Sequence, residues 1–242
     1  MRAARVSDPA LILTAHGSID PRAAAVTHAV AGRIRRLRPE LDVRVAFLEG
    51  SAPSLADVLA SAGAAPVVTP LLLADAYHAR VDIPRVIAAS GVKARRADVL
   101  DADPALLGVL RQRLSEAGVS GDDGDIGVIV AAVGTSNHCA NTRTASVATA
   151  LRAETRWSGC RIAFATGPRC RLPEAALRLR TAGARRIVIA PWFLAHGRIT
   201  DRIAEYALTQ GIAMAEPLGS HNLVAATALD RYDSIRALRL AA

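Results

Sequence analysis

The sequence predicts an α/β protein made of two similar domains, each a mostly parallel sheet flanked by helices. Short apolar, β-branched runs alternate with amphipathic Ala/Leu/Arg-rich stretches along the chain, the pattern of strands joined by crossover helices. The order of segments then repeats: DIGVIVAAVGTSN in the second half matches ALILTAHGSID in the first, and ARRIVIAPWFLAH matches AAPVVTPLLLADAYH. Hydrophobic residues are 51% of the chain but aromatics only 3%, so the core is built of small aliphatic side chains, which suit helices packed closely on a parallel sheet.

The first strand is PALILTA, ending at His16-Gly17-Ser18. A helix follows from about Pro21 to Leu37, with proline near its first position. The strand VRVAFLE leads to a helix opening near Pro53. The strand APVVTPLLL leads to a polar loop carrying His78, then to a short helix from about Asp82, where Asp82 and Pro84 are suitable starting residues. VKARRADVL as a strand and ALLGVLRQRLSEAG as a helix close the first half. The acidic, Gly-rich SGDDGDIG is the boundary, dividing the chain into domains at 1–119 and 125–242. Gly134 lies 117 residues after Gly17 and Pro191 lies 121 after Pro70; a repeat of that length is a domain duplication, not a solenoid.

Composition narrows the function classes. No apolar run approaches the roughly 20 residues that span a bilayer. The N-terminus, MRAARVSDPA, has two arginines with no apolar region and cleavage site after it, so a cytoplasmic location without membrane partners is expected. Cys139, Cys160 and Cys170 form no C-x-x-C pair and read as ordinary thiols, not as a disulfide framework or a thiolate metal cage. The net charge of +8, almost all arginine, bears on partners such as a polyanionic small molecule or nucleic acid. RIRRLRPE and RLPEAALRLR read as mixed-charge helix faces. With no nucleic-acid motif and few aromatics for base stacking, no nucleic-acid partner is expected. Neither G-x-G-x-x-G nor G-x-x-x-x-G-K-[ST] follows a strand, which sets aside a nucleotide-binding domain.

Ligands of open α/β sheets bind beyond the carboxyl ends of the strands. His16 follows the first strand, Glu49 the second and His78 the third, so the three are expected to converge at one rim. Two imidazoles and a carboxylate suit a divalent first-row metal, and equally acid–base work near neutral pH. Taken singly, each has a plainer reading: a hydrogen-bonded turn histidine, or a solvated loop acid. Gly17 and Ser18 offer small residues where a flat ligand can approach the backbone, and they lead into a helix N-terminus, which favours anions.

HGSIDPR, AFLEGSAPSL and TPLLLADAYHARVDIP, in that order, resemble the class II tetrapyrrole chelatases of the sirohydrochlorin type, the cobalt or iron chelatases of cobalamin and sirohaem synthesis. The resemblance covers essentially the whole chain and implies two chelatase-like α/β domains made by duplication. It further implies a lyase that inserts a divalent metal into sirohydrochlorin and releases two protons, with no ATP and no cofactor beyond the substrate ion, Fe²⁺ before Co²⁺. His16 and His78 would hold the metal and help remove the pyrrole protons, with Glu49 assisting. A basic protein attracts this polycarboxylate, and Arg22 and Arg80, beside the histidines, are candidate bidentate carboxylate partners, helix-surface placement being the alternative. Histidine binds metal only when neutral. Because an ordinary imidazole titrates at about 6.5, insertion is expected to fall steeply below about pH 6. A rate that stays flat from about pH 5 to about pH 8 would count against the histidines as ligands.

The second half departs from the pattern. Val133 stands where the first half has His16, and GTS replaces HGS. His196 lies near the place of His78 after a loop three residues shorter, and is a candidate for facing the substrate. The second half therefore reads as a degenerate site that closes the cleft. His138 is a weaker substitute for the missing histidine, or a surface-loop residue; His28 reads as structural or solvated, and His221 as a capping residue. Trp192 is either a wall for the macrocycle or a core side chain. A Co²⁺ chelatase and a non-catalytic tetrapyrrole or metal carrier are the alternative functions, and a chain holding both halves can act as a monomer.

Overall fold

The alternation of strand and helix resolves, in a computed structural model describing residues 8–166 and 171–240, into two separate parallel sheets. Cys170 and the N-terminal arginines lie outside the described residues. The first half runs β1 (Leu11–Ala15), α1 (Pro21–Leu37), β2 (Val43–Phe47), α2 (Leu55–Ser61), β3 (Val67–Pro70), α3, β4 (Arg95–Arg96) and α4 (Pro104–Glu116). Helix α3 opens with a π-helical turn, His78–Asp82, and continues as Ile83–Ser90. The second half repeats the series: β5 (Ile126–Ala132), α5 (His138–Arg152), β6 (Gly159–Phe164), α6 (Leu172–Thr181), β7 (Arg186–Pro191), α7 (Arg198–Thr209), β8 (Ala213–Met214) and α8 (Asn222–Leu240). The strand orders are β2-β1-β3-β4 and β6-β5-β7-β8, the same winding twice. The expected strand VKARRADVL is paired only at Arg95 and Arg96; after Ala97 donates to Val68 the chain leaves the ladder.

Both faces of each sheet are buried, which is why the strands read as continuous apolar runs rather than as alternation. Leu11, Leu13, Val43, Val45 and Phe47 point to one side, into a core shared with Val128, Val130, Val188 and Ala190 of the other sheet. Ile12, Ala46 and Val68 point the other way, onto Leu55 and Leu59 of α2 and Ile83 of α3. Ile129, Ala131, Ile187 and Ile189 do the same against α6 and α7. Helices α1, α4, α5 and α8 fill the space between the sheets.

The halves exchange their last helices. Helix α4 closes the first half in sequence but packs against α5 and β7, whereas α8 packs on α1 and β3. Arg231 on α8 donates to the carbonyls of Val99 and Leu100 and to Asp103, and the buried Tyr232 hydroxyl donates to the Pro9 carbonyl at 2.6 Å. In return Arg113 on α4 donates to the carbonyls of Pro217 and Leu218. This exchange sets the sheets side by side with their carboxyl rims adjacent: Arg22 at the start of α1 reaches Asp201 at the start of α7, and Arg143 on α5 reaches Asp101 beyond β4.

Candidate functional site

At the end of β1 the chain turns through Gly17, whose φ is +89°. A Cβ built there would stand 1.8 Å from the Glu49 carbonyl oxygen. The position needs glycine because the loop after β2 crosses it, which is a tighter requirement than access for a ligand. Glu49 N–H donates to the His16 carbonyl at 2.9 Å. The Ser51 hydroxyl donates to the Ser18 carbonyl and accepts from the Ser18 N–H, while the Ser18 hydroxyl accepts from Asp20 N–H. Gly17 and Ser18 thus join two loops, and the join fixes His16 and Glu49 side by side. The N-terminus of α1 holds an anion of its own: Asp20 is the N-cap and accepts from Arg22 N–H.

His16, Glu49 and His78 converge. The His16 and His78 rings lie edge to face, 4.2 Å between centroids at 84°, and His16 Nε2 is 3.2 Å from Glu49 Oε1. His78 is not in a loop, as expected, but opens the π-helical turn of α3. In that wide turn the Ile83 N–H donates to the His78 carbonyl, and the side chain four residues on, Asp82, comes to face the ring. Asp82 is accordingly not an N-cap: it has helical backbone angles and makes no capping bond. Its Oδ2 instead accepts from His78 Nδ1 at 2.7 Å.

The hydrogen bonds set the chemistry of both rings. A carbonyl oxygen can only accept, so His16 Nδ1, 2.8 Å from the Gly17 oxygen, carries a proton, and Nε2 is left to face the Glu49 carboxylate. When His16 is neutral, two lone-pair donors confront each other across 3.2 Å, a gap that attracts a proton or a metal cation. His78 Nδ1 is likewise turned to a carboxylate, leaving its Nε2 lone pair for an incoming cation. Among the described residues no three His, Cys, Asp or Glu side chains surround a common point; each carboxylate here faces an imidazole nitrogen instead. The histidine side chains are 44% and 38% exposed, so ions and protons reach them from solvent.

The two arginines are each already paired with a carboxylate of this chain. Arg22 donates to both Asp20 and Asp201, at 3.1 Å from Nη1 to Asp201 Oδ1, and so ties the halves together at the rim. Arg80 is held by Asp75, 2.9 Å from Nε to Oδ2. Each guanidinium meets a carboxylate of its own chain: Asp20 lies two residues before Arg22, and the loop before α3 folds Asp75 back onto Arg80. The Arg22 side chain and backbone N–H hold the Asp20 carboxyl down at about 2, and Arg22 also lowers Asp201. A carboxylate depressed from 3.8 to about 2 stabilises the fold fully above about pH 4, and this is lost as pH falls through about 2. The melting temperature of Arg22→Ala is therefore expected below that of wild type at neutral pH, with the difference shrinking in acid and in high salt. A difference that grows in acid would contradict this account of the tie.

The second half keeps the scaffold without the chemistry. Gly134 has φ +84° and sits against the Thr166 carbonyl as Gly17 sits against that of Glu49; Thr166 N–H donates to the Val133 carbonyl at 2.8 Å. Val133 thus stands at the place of His16 and Thr166 at that of Glu49. The second equivalence was missed by the motif reading, although the 117-residue offset also aligns AFLEG with AFATG. His196 pairs with Glu216 at 2.8 Å, and both line a crevice of about 140 Å³ to which the first half contributes Val26 and Arg113. His138 is not a loop residue but the exposed first residue of α5. His221 caps α8 by accepting from Leu223 N–H, His28 is exposed on α1, and Trp192 is buried in the shared core.

Comparison with known proteins follows the same division. The CbiX family model matches residues 10–117 and again 127–235. The fold is similar to that of SirB from Bacillus subtilis with Fe³⁺, at 20% identity and a TM-score of 0.81 over 94% of this chain and 95% of that one. It is also similar to the sirohydrochlorin chelatase SirB from Bacillus subtilis subspecies spizizenii in complex with cobalt, at 17% identity and a TM-score of 0.71 over 93% and 94%. A third similar structure is CbiX, the terminal enzyme for biosynthesis of siroheme in denitrifying bacteria, at 23% identity and a TM-score of 0.66 over 94% and 98%. No curated protein matches the chain in sequence. Among the described residues no helix is long and apolar enough to cross a membrane.

Proposed function

The chain belongs to the CbiX family, and from that membership we propose that it is a sirohydrochlorin chelatase, inserting a divalent metal into the macrocycle without ATP. The observation that carries the proposal is the pairing of His16 and His78 at the carboxyl rim, 4.2 Å between rings, each with Nδ1 engaged and Nε2 on the opposite side of the ring. His16 and His78 present these Nε2 atoms to the substrate ion, as Glu49 does its carboxylate. Insertion replaces two pyrrole N–H bonds by metal–nitrogen bonds and frees two protons. The gap between His16 Nε2 and Glu49 Oε1 accepts one proton at a time and passes it to solvent, since both groups are exposed.

Fe²⁺ is the favoured ion and Co²⁺ the alternative; the similar structures include SirB with Fe³⁺, SirB with cobalt, and a CbiX of siroheme biosynthesis. The domain of residues 1–119 carries the chemistry. That of 125–242 closes the cleft, with His196 on its side of the crevice beside Val26. The reading places the protein in the cytoplasm as a monomer, with no nucleic-acid partner. Turnover tests it. With sirohydrochlorin in excess, anaerobically, each protein molecule is expected to convert many equivalents. One equivalent bound with no acceleration would make the chain a carrier.

A further inference from the structure

We propose that Asp82 is a positioning residue for this site, acting through His78 to fix which ring nitrogen meets the metal; the inference rests on the reading of His78 as a metal ligand. The carboxylate accepts from Nδ1 at 2.7 Å, and it is the less exposed partner, at 24% against 38% for the histidine. An ionised carboxylate cannot donate a hydrogen bond. With Asp82 in place, the neutral ring therefore carries its proton on Nδ1 and its lone pair on Nε2. The backbone serves this geometry. The π-helical turn His78–Asp82 widens the helix just where the ring and the carboxylate face each other, and such turns occur often at functional sites. Asp82 makes no capping bond for the helix that follows, so among the described residues its one side-chain hydrogen bond is to His78.

The two histidines are thereby held differently. His16 is oriented by a neutral carbonyl, that of Gly17, and meets Glu49 through its other nitrogen. His78 is oriented by a carboxylate, that of Asp82, on the nitrogen opposite the one left for the metal. Asp82 thus commits the Nε2 of His78 to the metal, whereas His16 shares its Nε2 with Glu49.

The test uses Co²⁺ alone, titrated calorimetrically into wild type, His78→Ala, Asp82→Ala and Asp82→Asn, with insertion rates measured beside it. Asparagine has the size and shape of aspartate, so it preserves packing, but its amide can donate to Nδ1 and turn the Nε2 proton toward the cleft. Both Asp82 variants are expected to weaken Co²⁺ binding roughly 10–100-fold with an unchanged circular dichroism spectrum. If Asp82→Asn binds Co²⁺ like wild type, or inserts slowly with Co²⁺ affinity intact, the positioning role is wrong. If His78→Ala itself binds and inserts like wild type, the reading of the site fails first.

Discussion

His78→Ala and His16→Ala are each expected to lower kcat/KM for metal insertion by roughly 10²–10⁴-fold, the range for removing a group that moves a proton or holds the reacting atom. Neither change should cost much stability, because both side chains are well exposed at the rim and neither belongs to the cores. The variants should differ in kind. His78→Ala removes the ring that Asp82 aims, so Co²⁺ binding falls with the rate. His16→Ala leaves that ring and removes the partner of Glu49, so the loss falls more on kcat. Together the substitutions should cost little more than the worse of the two, since residues that act as a unit are not additive. Retention of most of the wild-type rate by either single variant, measured by the absorbance change of sirohydrochlorin, would contradict the assignment.

Among the described glycines, Gly17 is where an added methyl group is expected to do the most damage. The new Cβ would lie 1.8 Å from the Glu49 carbonyl oxygen, at a residue with φ +89°. Neither the turn nor the loop can yield without moving the other, because Glu49 N–H is bonded to the His16 carbonyl. Strain in the backbone region costs about 1–3 kcal/mol by itself, and with the clash the loss should reach roughly 2–4 kcal/mol. It would be read as a lower urea midpoint at unchanged m-value. Insertion should be lost as well, since the displaced loops carry His16 and Glu49. Gly134→Ala is the control: the contact there, 2.6 Å to the Thr166 oxygen at φ +84°, also destabilises, but it disturbs Val133, which has no chemistry. Wild-type stability in Gly17→Ala, or equal loss of insertion in both variants, would show that the loop junction does not position the site.

Much of this was legible in the sequence for a physical reason. Strands buried on both faces give compact apolar runs, and Pro21 marks the start of α1 to the residue. His16, Glu49 and His78 each follow a strand of a parallel sheet, and the parallel order β2-β1-β3 makes the ends of those strands neighbours. Other features were not legible. An apolar helix face says that α4 and α8 are buried but not on which sheet, so the exchange between halves needed coordinates. Asp82 before Ile83 and Pro84 has the form of a helix N-cap; only the π-helical turn reveals its alternative partner at the same i,i+4 spacing. Arg22 and Arg80 look available in sequence, because the reach of Arg22 to Asp201 depends on how the halves pack, and that of Arg80 to Asp75 on how the loop folds back.

The most direct test of the account is the anaerobic absorbance change of sirohydrochlorin with Fe²⁺ or Co²⁺, followed for wild type, for the His16→Ala/His78→Ala double variant, and without protein. The account predicts rapid insertion by wild type and a double variant reduced nearly to the protein-free rate. Insertion by wild type no faster than the protein-free control would contradict it.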